Sequence, residues 1–225
     1  MLQLFNSSKA DVKTLPELNS LVPVSTVPGW VQGANNKLPA SQTTARQFEI
    51  QANFTLTPAE GANSTTATAQ PDIRNRFKLN NSNEFAVGVR IEFGNNTYAD
   101  AYIKGSLEDS TLTSLSVWID KSQAGGGTNT TWLEGGPVPL PADPTKAWNV
   151  PSEPLQISVW VDHSVIEVFA MRGLGRISSR VYPEDDSGAW GASAWGVGPE
   201  VGSGWRVQMD AEVWEMKSAW LAPDC

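Results

Sequence analysis

Apolar and polar residues alternate with a period of two along much of this chain. The alternation is clearest over Gln47–Leu56, Phe85–Phe93 and Ile157–Val161, and it is the pattern of a β-strand with one buried face. Shorter runs of the same kind predict further strands over Tyr98–Lys104, Leu115–Asp120, Val165–Phe169, Ile177–Tyr182 and Trp205–Met216. No segment carries the apolar stripe of a helix over three turns.

Turn-forming residues separate these strands. Asp162-His163-Ser164 and Arg172-Gly173-Leu174-Gly175 join three short strands into a β-meander. Long loops are expected over residues 58–71 and 122–154, and no strand is predicted over residues 183–204, which carry two tryptophans among glycines. Many short strands of this kind predict an all-β fold, a two-sheet antiparallel β-sandwich of jelly-roll or concanavalin-like type. We place the sandwich domain at residues 45–225 and expect residues 1–44 to form an extended leader or linker.

The meander also carries a motif. VDHSVIEVF, of the form V-D-x-S-x-x-E-x-F, is followed after a short turn by SRVYP, and the chain ends with EVWEMKSAW before its last few residues. These segments resemble the late strands of the C-terminal β-sandwich of glycoside hydrolase family 32, the invertases, inulinases and fructosyltransferases. The resemblance implies a neighbouring catalytic propeller as partner and a fructan or fructose-containing sugar as ligand. Family 66 carbohydrate-binding modules look like the same sandwich.

The composition narrows the class of protein. The chain has 225 residues, which is long enough to form a hydrophobic core. Its formal charge is −8. Nucleic acid is not an expected partner, because neutralising phosphates takes clustered lysine and arginine. The sequence has no run of about 18 apolar residues, so we expect no membrane span. Cys225 is the only cysteine and His163 the only histidine, so neither a disulfide nor a zinc site is expected, and we predict no metal and no cofactor.

Six N-x-S/T sequons favour a secreted glycoprotein. The first residues lack the basic and apolar regions of a signal peptide, so we expect the leader to be absent from this chain. The candidate glycosylation sites are Asn6, Asn53, Asn63, Asn80, Asn95 and Asn129.

The catalytic motifs of family 32 do not occur in this sequence. There is no W-M-N-D-P-N-G motif with its nucleophilic aspartate, Asp143-Pro144 is preceded by Ala142 rather than arginine, and Cys225 follows Asp224 rather than glutamate. Retaining glycoside hydrolysis needs two carboxylates about 5 Å apart across the bond, and the sequence marks no such pair. We therefore predict that this chain is not an enzyme by itself.

Sugar binding would fall to the polar side chains that alternate with the apolar positions of the strands. Acids, arginine and aromatic rings are the groups that fix sugars, and family 66 modules hold a terminal fructose with acids and arginine. The candidate ligand-binding residues are Arg90, Asp100, Asp162, Glu49 and Glu92. The alternative for each is a surface charge or a cross-strand pair.

Two further sets of residues have alternative interpretations. Asp162 could cap its turn through the amides of residues 163–164, and Glu167 could pair with Arg180 across the hairpin. The tryptophans in glycine-rich surroundings could line a groove or pack in the core; these are Trp190, Trp195 and Trp205.

The functional hypothesis is a noncatalytic β-sandwich that resembles the accessory domain of a β-fructofuranosidase or fructosyltransferase. Its role would be to stabilise the propeller, form dimer contacts or bind fructan. One alternative is a stand-alone fructan-binding lectin of the same fold. Another is a subunit of a processed family 32 enzyme, active only with a propeller-bearing chain.

Overall fold

The computed structural model describes residues 46–58, 71–94, 97–125, 132–143, 147–150, 152–183, 190–199 and 205–216, together with the short strands at 12–14 and 30–32. In chain order the strands are β1 (Val12–Thr14), β2 (Trp30–Gln32), β3 (Gln47–Pro58), β4 (Glu84–Gly94), β5 (Thr97–Glu108), β6 (Thr111–Gln123), β7 (Leu133–Pro137), β8 (Leu155–Asp162), β9 (Val165–Ala170), β10 (Gly175–Arg180), β11 (Gly191–Val197) and β12 (Trp205–Met216). One helix, α1 (Pro71–Arg76), precedes β4, and a 3-10 turn spans Met171–Gly173.

The strands form two antiparallel sheets of six strands each. Sheet A has the order β1-β12-β3-β8-β9-β10, and sheet B has the order β2-β11-β4-β5-β6-β7. The predicted meander forms β8, β9 and β10, which are consecutive neighbours at one side of sheet A. The predicted β-sandwich is therefore confirmed.

The core lies between the inner faces of the two sheets. The residues on these faces are the apolar positions that the alternating pattern predicted to be buried. The apolar positions of β3 from Phe48 to Leu56 and of β4 from Phe85 to Phe93 are all buried. The inward residues of β8 from Leu155 to Val161 pack into the same cluster. Burial of a sheet face at this density supplies the main driving force for folding, at about 25 cal/mol for each Å² of apolar surface.

Several strand bounds differ from the prediction. β10 begins at Gly175 and ends at Arg180, two residues earlier than expected, and β5 and β6 extend beyond the predicted ends. Two strands were not predicted: β7 lies within 122–154, which was expected to be a loop, and β11 lies within 183–204, where no strand was expected. Both are rich in glycine or small residues, which weakens the alternating pattern that marks a strand.

The short strands in residues 1–44 are paired with the sandwich. β1 pairs with β12 at the edge of sheet A, and β2 pairs with β11 at the edge of sheet B. The division of the chain at residue 44 stays a prediction. The expected loop at 58–71 lies almost entirely outside the described residues.

The segment from α1 to β4 covers part of the outer face of sheet B. Phe77 and Leu79 are buried there against Tyr102 and Val197, in a small apolar cluster separate from the main core. Arg74 fixes the segment by donating to the carbonyl oxygens of Gly198 at 3.2 Å and Asn81 at 2.7 Å. Sheet B is thus shielded from solvent on both faces along this stretch.

Truncating a core residue of the central strand β3 should destabilise the domain strongly. Phe54 is 1% exposed, and Phe54→Ala should lower the free energy of unfolding by about 3–5 kcal/mol, because it removes buried surface and leaves a cavity. Urea denaturation measures this change. Gln123→Ala, at an exposed position of β6, is the control and should change stability by less than about 0.5 kcal/mol. Similar stability for the two variants would contradict the assigned core.

Candidate functional site

Register brings polar and aromatic side chains together on the outer face of sheet B. Arg90 of β4 lies opposite Asp100 of β5, and Asp100 lies opposite Asp120 of β6. One row away, Trp195 of β11 lies opposite Gly88 of β4, and Gly88 lies opposite Tyr102 of β5. Residues directly opposite in antiparallel strands have side chains within contact distance, so an ionic row and an aromatic row lie side by side.

Asp100 is the centre of this site, with no exposed surface. Its Oδ1 accepts hydrogen bonds from Arg90 Nε at 2.9 Å and Trp195 Nε1 at 3.2 Å. Its Oδ2 accepts from Arg90 Nη2 at 3.2 Å and Arg76 Nη2 at 2.6 Å. Arg76 Nη1 also donates to the hydroxyl of Tyr98 at 2.6 Å. We call these five residues the Asp100 cluster.

Aromatic rings support the two guanidinium groups. The Arg90 guanidinium lies 3.7 Å from the centre of the Tyr98 ring, and that of Arg76 lies 5.0 Å from it, both within the range of cation–π attraction. Phe77, from the segment that covers sheet B, stacks on Trp195 with ring centres 4.0 Å apart. The cluster is therefore held on several sides by packed rings.

Burial and charge act in opposite directions on the ionisable groups. Burial raises the pKa of Asp100, and its hydrogen bond and attraction to Arg90 and the charge of Arg76 oppose that rise. Desolvation lowers the pKa of Arg90, but the hydrogen bond and charge of Asp100 more than offset it, so the pKa of Arg90 is raised. Arg90 thus stays cationic at all physiological pH values.

The arrangement is suited to binding. Both oxygens of Asp100 are occupied by N–H donors, so this carboxylate is not available as a nucleophile or a proton acceptor. The side chains of Arg76 and Arg90 are 27% and 29% exposed. Among the described residues, no hydrogen bond uses Arg76 Nε or Arg90 Nη1, so these donors are open to a ligand.

The five candidate ligand-binding residues lie on two opposite faces of the sandwich. Arg90 and Asp100 are in the cluster, and Glu92 lies on the same outer face, where Ser193 Oγ donates to it at 3.4 Å. Glu49 and Asp162 lie on the outer face of sheet A. One pocket cannot contain all five, and their ligand-binding role stays a prediction.

Both motif acids have structural partners, but not the partners that the sequence suggested. Asp162 Oδ1 accepts from Gln47 Nε2 at 2.8 Å and lies 2.8 Å from His163 Nδ1, instead of binding the turn amides. These hydrogen bonds, that with His163 first, lower the pKa of Asp162. Glu167 accepts from Ser178 Oγ at 3.2 Å, so the pairing predicted for Glu167 with Arg180 is wrong, because the register places Ser178 opposite it.

Three residues of the Asp100 cluster were not among the candidates. Arg76 lies in a six-residue helix that no sequence pattern marks, and Tyr98 is the second residue of β5. For Trp195 the alternatives were a groove or the core, and the structure shows it half-buried on the outer face of sheet B, with its indole N–H donating to Asp100. The other two tryptophans of that set, Trp190 and Trp205, are buried in the core.

Two of the six sequons lie in described residues. Asn80 is exposed just after α1. Asn53 is half-buried in the middle of β3, where it lines an open cavity of about 350 Å³ with Gln156 and Asp210. The others lie outside the described residues: Asn6, Asn63, Asn95 and Asn129. Glycosylation at any of these sites stays a prediction.

The described residues contain neither a membrane-spanning helix nor a metal-binding cluster. No helix there is long and apolar enough to cross a membrane. No group of three or more histidine, cysteine, aspartate or glutamate residues within the described part of the chain could hold a metal ion. The adjacent acids Glu184, Asp185 and Asp186 lie outside it.

The fold defines the class of protein as a two-sheet antiparallel β-sandwich domain. The family model described as glycosyl hydrolases family 32 C terminal matches residues 17–215. The chain therefore belongs to this family, whose C-terminal domain is the noncatalytic accessory part of family 32 enzymes. No protein with a curated description matches the sequence. The likeness to family 66 modules stays a prediction.

Solved structures share the fold. Fructan 1-exohydrolase IIa from Cichorium intybus is 19% identical with a TM-score of 0.54, covering 92% of this chain and 35% of that chain. The fructosyltransferase from A. japonicus is 18% identical with a TM-score of 0.54, covering 94% and 27%. The β-fructofuranosidase from Aspergillus kawachii is 16% identical with a TM-score of 0.51, covering 95% and 29%. This chain thus spans about a third of the length of these enzymes or less.

A side chain at position 88 should disturb the aromatic row. A Cβ on Gly88 would lie 2.5 Å from the Cβ of Tyr102, so Gly88→Ala should lower the free energy of unfolding by about 1–3 kcal/mol. Gly136→Ala is the matched control in the same sheet, because nothing lies within 4 Å of its added Cβ. Thermal or urea unfolding compares them, and equal stability would contradict the close approach of β4 and β5.

Removing the charge of Asp100 should cost much more than removing that of Asp162. Asp100→Asn leaves two guanidinium groups without their buried counter-ion, and we expect a loss of about 3–5 kcal/mol in the free energy of unfolding. Asp162→Asn should cost less than about 1 kcal/mol at neutral pH, since Asp162 is exposed. Urea denaturation at pH 7 and in acid measures both.

The pH dependence of the Asp162 variant has a defined sign. Because the folded protein lowers the pKa of Asp162, its small contribution is present above the ordinary pKa and is lost as the pH falls through the lowered value. The difference between wild type and Asp162→Asn should therefore vanish in acid. A larger cost for Asp162→Asn than for Asp100→Asn would contradict the roles assigned here.

Proposed function

We propose that this chain is the accessory β-sandwich of a fructan-active family 32 enzyme and that the Asp100 cluster binds a fructose unit of the fructan. Membership of the family supports the accessory role. The fructan 1-exohydrolase of Cichorium intybus, which shares the fold, was solved in complex with 1-kestose. Fructans are therefore the natural class of ligand to test.

The observation that carries the proposal is the pair of partly exposed arginine side chains fixed by one buried carboxylate. Arg76 and Arg90 each donate to Asp100 and lie against the Tyr98 ring. A sugar offers hydroxyl oxygens to the remaining N–H donors and an apolar C–H face to an aromatic ring. Because Asp100 already holds both arginines in place, little side-chain entropy is lost on binding.

Binding without turnover follows from the same geometry. Asp100 is saturated with hydrogen bonds and buried, and Arg90 stays protonated, so the cluster contains no group poised to attack a glycosidic bond or to protonate its leaving oxygen. Hydrolysis would then belong to a propeller in the same protein or in a partner chain. The chain's short span relative to its relatives agrees with this division of labour.

The alternative roles differ in what the chain does by itself. A stand-alone fructan-binding lectin would be monodisperse and bind sugar alone. A domain or subunit that needs its propeller would expose the surface that the propeller covers and aggregate when isolated. The sequons favour secretion and glycosylation in either case. Light scattering of the purified chain separates these roles.

Isothermal titration with levan, inulin, sucrose and fructose tests the binding proposal, with release of reducing sugar assayed in parallel. We expect saturable binding to at least one fructan and no hydrolysis. Arg90→Ala should weaken that binding by about tenfold or more, the cost of losing a charged hydrogen-bond donor.

The control for this titration is Asp162→Ala, which removes a predicted ligand-binding acid on the opposite face. It should leave the Asp100 site's affinity unchanged. Arg76→Ala provides a second test of the cluster, and the melting temperature of each variant verifies that it is folded. Hydrolysis by the chain alone, or full binding by both arginine variants, would overturn the proposal.

A further inference from the structure

A row of four side chains crosses the outer face of sheet A, opposite the Asp100 cluster. Glu49 of β3 lies opposite Trp160 of β8. Trp160 lies opposite Glu167 of β9, and Glu167 lies opposite Ser178 of β10. All four are outward residues of their strands, and we call them the sheet A row. With strands about 4.8 Å apart, the row runs roughly 14 Å across the sheet.

Trp160 gives the row an exposed aromatic surface. It is 43% exposed, which is unusual for a tryptophan in the middle of a sheet face. The ring of Phe169 packs against it at an interplanar angle of 63°, with centres 6.1 Å apart. This edge contact supports the indole on one side and leaves much of its surface to solvent.

The two glutamates are fixed on either side of the indole. Glu49 Oε1 accepts from Gln51 Nε2 at 2.8 Å and from Ser158 Oγ at 3.0 Å. Glu167 Oε1 accepts from Ser178 Oγ. No hydrogen bond from a described residue reaches the Oε2 atom of either carboxylate. Each glutamate therefore presents one oriented oxygen acceptor beside the ring.

We propose that the sheet A row is a second saccharide-binding site. A sugar ring would pack its C–H face on Trp160, and its hydroxyl groups would donate to Glu49 and Glu167. The ligand class is the same as in the proposed function, but the residues are entirely different. The inference can therefore hold or fail independently of the Asp100 cluster.

The surrounding charges favour a neutral ligand over a cationic one. An indole between two carboxylates would also attract a lysine or arginine side chain. However, Arg176 and Arg180 flank Ser178 on the outward side of β10, and both are exposed. Their charges offset those of the two glutamates and weaken the attraction of a cationic peptide laid along the row, whereas a polyhydroxyl ligand can accept hydrogen bonds from them.

The indole N–H signal of Trp160 reports on this site directly. Trp160→Phe assigns the signal in ¹H–¹⁵N spectra, and the full chain is then titrated with inulin-derived oligosaccharides, levan oligosaccharides and, separately, tetralysine. We expect the saccharides to shift this signal saturably and tetralysine to leave it unchanged. Glu167→Gln should weaken the saccharide response.

Variants separate this site from the other one. Trp160→Ala should weaken oligosaccharide binding at this site by about tenfold, the loss expected when a central aromatic contact is removed. Trp132→Ala is the matched control, because Trp132 is 42% exposed but lies outside the row. Arg90→Ala should leave the Trp160 response intact, even if it abolishes binding at the Asp100 cluster.

Three results would overturn the inference. They are no shift of the Trp160 indole signal with any saccharide, a shift with tetralysine alone, and equal effects of Trp160→Ala and Trp132→Ala. Because Trp160 is exposed, its replacement should leave the fold intact, and a far-UV and thermal check verifies that. If the Trp160 signal responds to saccharides but no binding depends on Arg90, the proposed function is wrong and this inference still stands.

Discussion

Side chains on successive residues of a β-strand point to opposite sides, so a two-sheet sandwich must commit one face of each sheet to the core. Here that constraint buries the apolar positions of β3, β4 and β8 between the sheets. The polar side chains of these strands, as far as the structure describes them, are left to the two outer faces. The candidate chemistry of the domain is consequently divided between faces that are separated by the whole thickness of the core.

The two outer faces differ in how they are covered. On sheet B, the segment from α1 to β4 lays Phe77 and Leu79 over the sheet. This cover lowers the local polarity around Asp100, which strengthens its attraction to Arg76 and Arg90 and makes any unpaired charge there expensive. On sheet A, Trp160 is open to solvent. The two glutamates of the sheet A row are held in place by hydrogen bonds from neighbouring side chains. If both faces bind saccharide, one domain could hold two segments of a polymer and gain avidity without any change in the individual sites.

The sequence predicted the fold well because alternation is strong wherever one face of a strand is buried. The strand over Gln47–Leu56 and the last strand from Trp205 could be predicted from the sequence for this reason. β7 and β11 were missed, since Gly135, Gly136 and the small residues around Trp195 carry little of the pattern. β1 and β2 are too short for a period to be recognised.

The Asp100 cluster could be predicted from the sequence only in part. Alternation identifies Arg90, Asp100 and Asp162 as outward residues, but it does not say which sheet each strand joins, and that assignment separates Asp162 from the other two. Arg76 could not be anticipated, because it reaches Asp100 from a helix of six residues whose position depends on tertiary contacts of Arg74 and Phe77. The family motif around Asp162 pointed correctly to the family, and it did not locate the buried cluster.

A crystal structure of the chain with an inulin-derived oligosaccharide would test the central claim most directly. The account predicts a fructose unit against the guanidinium groups of Arg76 and Arg90 and beside the Tyr98 ring, with the Asp100 hydrogen bonds unchanged. An oligosaccharide bound elsewhere while the Asp100 cluster stays accessible and empty would contradict it, and the cluster would then be a structural ion network of the accessory domain.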